Sequence, residues 1–465
     1  MSANTASSQR RIGYLPQDAP PLGATILLGL QHVIAMFPAT VLVALLTHFD
    51  VGVTLFGSGL ATVVALLLSG RRIPLYYGSS FSYIAAVVSI ISYNAGVGDL
   101  AAASPEALRE GIRVAQGGIV ATGLVSMLAG VIIRLIGKDA LDKVLPPIVT
   151  GSVAMVIGLS LAKTALDMAG ADWVVALFTL VATVLFSVYI RGKGLISMLP
   201  VIFGTLAGYL LSLILTPDKA AFFQPVVDAQ WLRLPPFTTP IFRWSAILAI
   251  APIAIATIPE STAHLYQISL YIDTLADEMQ RPRPTISKLI GLNLVLDGLG
   301  DSINGLLGGC AGTNYGENNS LMAITRCYSV PVLIAAGVIA MLLGFVGKLS
   351  ALINTLPTGV TGGLAIFFFG IIALQGVALI QSERVNLFDS RQLAVGALIL
   401  IVGVGGSVFP GGNLPLNARW LAGVFPDGNP PAIATAAVMG ILLNAIFLIF
   451  PPKNGREKVE TEKGV

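Results

Sequence analysis

The chain has 465 residues, 55% of them hydrophobic, and only 11% charged, against about 25% in an ordinary soluble protein. A net charge of +3 excludes a strongly basic nucleic-acid binder, and two cysteines in or beside apolar segments, Cys310 and Cys327, exclude a secreted disulfide scaffold. The apolar surplus recurs in runs of about 20 residues, the length that crosses a bilayer as a helix, so the chain is expected to be an all-α polytopic membrane protein.

Residues 1–20 are polar and carry no cleavable leader pattern, so they are expected to form an N-terminal tail. Apolar runs bounded by charge, Pro and Gly then predict spans at 21–47, 51–70, 74–95, 115–137, 146–165, 171–190 and 194–216. A polar break at 217–239 follows. A second set is predicted at 240–265, 284–308, 311–328, 329–352, 357–380, 391–409 and 430–451, before a tail at 452–465. Fourteen spans put both termini on one side. Nineteen of the 27 Lys and Arg, among them Arg10, Arg72, Arg283 and Lys458, fall on that side, and eight, among them Arg113, Lys219 and Lys348, on the other. The excess marks the cytoplasmic face, so both termini are expected in the cytoplasm. Seven spans per half invert the halves relative to each other, which predicts two inverted repeats, 21–216 and 240–451.

Two spans carry polar and glycine-rich stretches that an intact lipid-facing helix would avoid: Pro74–Phe81 in span 3 and Gly312–Asn318 in span 10. Both are third in their repeat, and both are expected to be broken, offering backbone N–H groups at a half-helix N-terminus to a ligand. Four acids, Glu260, Asp297, Asp301 and Glu317, lie within or at the edge of spans 8–10. Intramembrane carboxylates are costly and therefore functional candidates; Glu260 and Glu317 are expected to function, Asp301 to be structural, and Asp297 stands between. Glu260 and His264 share one helical face and suit proton coupling. Gln31 and His32 hold the corresponding element of the first repeat, where His32 is expected to be structural.

Thr313-Asn-Tyr-Gly-Glu-Asn-Asn-Ser-Leu-Met-Ala-Ile-Thr-Arg326 resembles the signature of the nucleobase/ascorbate transporter family, in particular of its uracil permease branch. Glu317, Asn318, Thr325 and Arg326 match, while Ser320 stands where the family usually has Gly. Leu30–Phe37, with Gln31 and His32, is similar to the family's first-span motif, Tyr77–Phe81 to its third-span strand, and Pro259–His264 to its eighth-span acid and histidine. Asp297 stands where purine-transporting relatives often carry an acid. The resemblance implies short β-strands breaking spans 3 and 10, a core domain of spans 1–4 and 8–11, and a gate domain of spans 5–7 and 12–14. It also implies elevator-type movement and a homodimer in the cell (inner) membrane. By the same resemblance Ser80, Phe81, Glu260, Tyr315, Gly316 and Glu317 contact the substrate, Glu260, His264 and Glu317 couple protons, and Phe369 replaces a tyrosine of span 12.

Uracil has two N–H donors and two carbonyl acceptors, all needing partners on burial, and two carboxylates, helix-end N–H groups and Phe81 suit it. Import of uracil by proton symport is the expected function. Xanthine or another purine base is the near alternative, and an anion exchanger of the same architecture the more distant one, disfavoured by the concentration of acids. The string Gly298-Leu-Gly-Asp301 resembles a membrane aspartyl protease motif, but its Tyr-Asp partner is absent from every span. No metal-binding, nucleophile-elbow or phosphate-loop motif occurs, so no enzyme activity, cofactor or metal is expected.

Overall fold

The computed structural model describes residues 13–97, 103–137, 145–190, 196, 199–409, 412–425 and 428–450. The C-terminal tail, most of the N-terminal tail and ten of the positive residues used above, Arg10, Arg11, Lys138 and Lys143 among them, lie outside this range.

The first half runs through α1 (Leu22–Thr47), α2 (Val51–Leu68), strand β1 (Tyr77–Ser79), α3 (Ile84–Ala95) and α4 (Pro105–Ile136). It continues with α5 (Pro147–Ser160), α6 (Ala162–Ala169), α7 (Trp173–Tyr189) and α8 (Pro200–Leu215). The polar residues between apolar runs do structural work as caps. Asp50, Ser104 and Asp172 accept the backbone N–H of Val53, Ala107 and Val175, satisfying amides that a helix start leaves without partners. After a short helix α9 (Lys219–Asp228), the second half has α10 (Trp244–Ile250), α11 (Ala254–Glu278), α12 (Ile290–Leu307), β2 (Gly312–Asn314) and α13 (Gly316–Thr325). The last elements are α14 (Val330–Gly344), α15 (Gly347–Asn354), α16 (Thr358–Ser382), α17 (Ser390–Ser407) and α18 (Ala432–Ile449).

Several boundaries differ from expectation. The helix expected from residue 115 begins at Pro105, because Ser104 and Pro105 form a strong start and Arg109 and Arg113 lie on its polar first turns. The eighth run does not stop at 265: α11 continues as a polar helix to Glu278. Span 9 starts at 290 after a 3-10 turn, and the run 329–352 divides at Phe345 into α14 and α15. The break at 217–239 holds α9, whose last-turn carbonyls of Val226 and Val227 accept Lys348 Nζ.

Among the described residues, eight helical segments are long and apolar enough to cross a membrane, and four shorter apolar helices accompany them. The runs that fall short include α12 and α13, both of which carry buried polar side chains. Helices α1–α4 and α10–α14 pack among themselves around β1 and β2, whereas α5–α8 pack with α16–α18. Contacts between the groups are sparse, with α11 against α5 the main one. Both cysteines are free and buried; Cys310 Sγ lies 3.5 Å from the hydroxyls of Thr47 and Thr54.

Candidate functional site

Two short strands meet in the middle of the first helix group. β1 pairs antiparallel with β2 in the register Tyr77↔Asn314, Gly78↔Thr313, Ser79↔Gly312, and the ladder is extended by Ser80 N–H to Ala311 O and Tyr315 N–H to Tyr76 O. Each strand thus satisfies the backbone of the other where lipid offers no partner. Side chains finish the task from outside. Ser58 and Thr62 of α2 donate to the Tyr77 carbonyl at 2.6 and 3.2 Å. Asp301 of α12 accepts the Gly312 N–H and the Tyr77 hydroxyl, both at 2.8 Å. Thr313 donates to Asp297 at 3.2 Å, and Asn314 donates to Ser261 at 2.7 Å and Asn293 at 3.2 Å.

The ladder leads into two helix starts, one at each end. Ser80 accepts the Ser82 N–H at 3.3 Å as the chain turns into the 3-10 turn that opens with Phe81, a half-buried ring. Across the sheet, α13 starts at Gly316 with no side chain capping its N-terminus, so its first amides and the positive end of its dipole face outward. Glu317 stands in that first turn and is exposed. Glu260, one residue after Pro259 inside α11, lies within electrostatic reach of Glu317. Proline removes one helical hydrogen bond there. His264 packs on the same helix start: a Cβ on Gly316 would sit 2.9 Å from its Nε2, so only glycine fits without displacing the ring. Its carbonyl accepts Asn319 Nδ2, and its buried Nδ1 has no protein partner. The expected Glu260–His264 pair shares a helix face, yet no hydrogen bond joins the two side chains among the described residues.

The remaining candidates hold the site together. The Tyr315 hydroxyl is engaged on both sides, donating to Ser79 O at 2.8 Å and lying 2.9 Å from Thr40 of α1. His32 is buried, with Asn318 Nδ2 3.0 Å from its Nδ1 and donating to its carbonyl at 3.2 Å. The Gln31 Oε1 and Asn318 Oδ1 atoms nearby are buried without protein partners. Thr325 back-bonds to Leu321 O at 2.8 Å and Met322 O at 3.5 Å, and Ser320 to Gly316 O at 3.0 Å. Asp297 is 6% exposed, its Oδ1 has no protein partner, and it lines a cavity of about 10 Å³ with Tyr77, Asn293 and Asn314, the room of one water. Phe369 is 2% exposed; the ring stacked on Phe81 is Phe368, with centroids 4.7 Å apart.

Two residues carry more than the sequence shows: Asp301, expected to be structural, and Phe368, which the sequence does not single out. Asp301 is the hub of the strand crossing; its place in Gly298–Asp301 drew attention to a protease motif, and no local pattern reveals that a β2 amide would dock there. Phe368 is one position from the residue the resemblance singled out, and one position on a helix is about 100° of rotation.

A family model described as the permease family matches residues 23–412. The chain belongs to the nucleobase/ascorbate transporter family. The chain is 36% identical over 446 residues to the uracil permease of Bacillus caldolyticus, covering 93% of this chain and 94% of that protein. It is 34% identical over 439 residues to the putative pyrimidine permease RutG of Escherichia coli K12, covering 93% and 91%, and 33% identical over 453 residues to the uracil permease of that strain, covering 95% and 94%. These family members carry the names of permeases, not enzymes, and with its apolar helices the chain is a multi-pass membrane permease. Among solved structures it resembles SLC26A9, at a TM-score of 0.64 and 12% identity, over 92% of this chain and 65% of that one. It also resembles the transmembrane domain of a cyanobacterial bicarbonate transporter, BicA, at a TM-score of 0.54 and 15% identity, over 84% and 97%. At such identities the likeness concerns the fold alone.

Proposed function

We propose that this family member is a secondary active transporter that imports a nucleobase, most favourably uracil, by proton symport with an elevator-type movement. The observation that carries the reading is the β1–β2 crossing, because it leads at one end into Phe81 and at the other into the uncapped start of α13 with Glu317, which lies within electrostatic reach of Glu260. Glu260 and Glu317 accept the two ring N–H groups. The first amides of α13 donate to a ring carbonyl, and Phe81 offers the apolar face. Ser80 and Gly316 shape the approach, and Tyr315 fixes the strands that present it. Protonation of Glu260 or Glu317, with His264 beside them, removes charge that would otherwise cross a low-dielectric barrier. Gln31, His32, Asn318 and Thr325 support the site. The names of the uracil and pyrimidine permeases that this chain resembles over most of its length point the same way.

The architecture we assign is fourteen spans in two inverted repeats, 21–216 and 240–451, joined by 217–239. The packing groups support a core of spans 1–4 and 8–11 and a gate of spans 5–7 and 12–14, working as a homodimer in the inner membrane with both termini cytoplasmic. Labelled-uracil uptake into proteoliposomes tests the function. An inward proton gradient should drive accumulation, and equal accumulation under a sodium gradient alone would overturn the coupling. Asp297 favours a second reading, xanthine or another purine base, and competition of uracil uptake by xanthine separates the two. An anion exchanger would share the fold of SLC26A9 and BicA, but facing carboxylates repel anions.

A further inference from the structure

The site offers one aromatic face to a planar base, and that face is occupied. Phe81 follows β1 directly, and Phe368 of α16 lies against its ring with planes 24° apart and centroids at 4.7 Å, the offset-stacked arrangement that aromatic pairs prefer. The two rings come from different helix groups, Phe81 from the group around the strands and Phe368 from the group of α5–α8 and α16–α18, so the stack spans the sparse boundary between them. Phe367 meets Phe368 edge-on at 5.9 Å and 69°, steadying it from its own helix. Phe368 is 9% exposed while Phe81 is half-buried, so the covering ring is the better shielded of the two.

Distance decides what this contact can be. A base slipped between the two rings needs about 3.5 Å to each, or about 7 Å in all, and the rings are 4.7 Å apart. A base stacking on this face of Phe81 must therefore take the place of Phe368. We propose that Phe368 is a tethered stand-in for the substrate, filling the stacking position on Phe81 in the empty protein and swinging off when a planar heteroaromatic ring enters. This inference rests on the reading of the site as a nucleobase site. It gives Phe368 two consequences. It keeps an apolar, ring-sized slot from standing open between cycles, and it competes with the base for the same surface, which lowers apparent affinity. An aromatic stack shifts such an equilibrium by about 2- to 12-fold.

Equilibrium binding of labelled uracil to the purified full-length protein tests this, with Phe368→Ala, Phe368→Leu and Phe81→Ala. Leucine keeps apolar volume without a ring, so it remains informative where alanine destabilises the fold. Both Phe368 variants should bind uracil about 2- to 12-fold more tightly than wild type, while Phe81→Ala binds more weakly. An unchanged or weaker affinity in Phe368→Leu, at a wild-type melting temperature, overturns the stand-in and leaves the nucleobase site intact. Failure of the wild-type protein to bind uracil or xanthine overturns both.

Discussion

At the scale of single residues, the four intramembrane acids divide by what their oxygens already do. Asp301 is spoken for: one oxygen holds the Gly312 amide and the Tyr77 hydroxyl, and the other faces the Tyr83 hydroxyl at 3.5 Å. Asp301→Ala strands a buried amide and a buried hydroxyl, each costing about 1–3 kcal/mol, so the melting temperature of the purified protein should fall by several degrees whatever ligand is present. Glu317 is the opposite case, exposed at a helix start and free of any hydrogen bond from another side chain among the described residues. Glu317→Gln should keep the melting temperature of wild type and weaken uracil binding by about 10- to 150-fold, the value of hydrogen bonds to a charged acceptor. Unchanged uracil affinity would remove Glu317 from the site. Sequence made the acids visible through their rarity in apolar runs. It ranks Glu260 and Glu317 above Asp301 as functional candidates, but it does not show what holds Asp301, because the donors come from the crossing: Tyr77 of β1, 224 residues away in the chain, and Gly312 of β2.

At the scale of elements, the decisive structure is six residues long. Pattern reading found the two interruptions, Pro74–Phe81 and Gly312–Asn318, from glycine, hydroxyl and amide groups inside apolar runs, and their equivalent positions in the two halves suggested that they belong together. The register was not legible, since three-residue strands carry no periodicity to read. It is set by side chains on other helices, Ser58, Thr62, Asp297 and Asp301, together with the absence of side chains at Gly78 and Gly312. A Cβ on Gly312 would lie 2.0 Å from the Gly78 carbonyl oxygen, a backbone atom that cannot move without parting the ladder. Gly312→Ala should therefore abolish uracil binding together with uptake, while membrane insertion and expression persist, because the long helices do not depend on the crossing. Wild-type affinity in this variant would show that the ladder does not shape the site. Helix ends were harder to place than helix existence for a related reason. Hydropathy marks where a chain enters lipid, and α11 and α4 continue as polar helices beyond it.

At the scale of the whole molecule, the charge distribution makes a claim that the fold can be held against. Ion pairs between distant segments join residues that the fourteen expected spans put on the same side. Asp50 pairs with Arg233 and Glu110 with Arg243 on one face, and Asp18 pairs with Arg281 and Glu278 with Arg326 on the other. On that second face Arg283 also donates twice to Asp277, at 2.8 and 2.7 Å, holding its carboxyl below the usual carboxylate range. At exposed or half-buried positions such pairs contribute little stability. Their value is topological, since a wrong span count in the interval between two partners would put them on opposite faces. The ion pairs show only which charges lie together; the excess of Lys and Arg is what supports the proposed cytoplasmic side. Impermeant maleimide labelling tests that assignment. The native thiols, Cys310 and Cys327, are 3% and 2% exposed, so wild-type protein should label weakly, and Lys219 and Lys288 are both exposed. Lys219→Cys should label in intact cells, and Lys288→Cys only after the membrane is opened. The reverse pattern would turn the molecule over while leaving its fold as it stands, and labelling of both in intact cells would place an odd number of crossings wrongly between them.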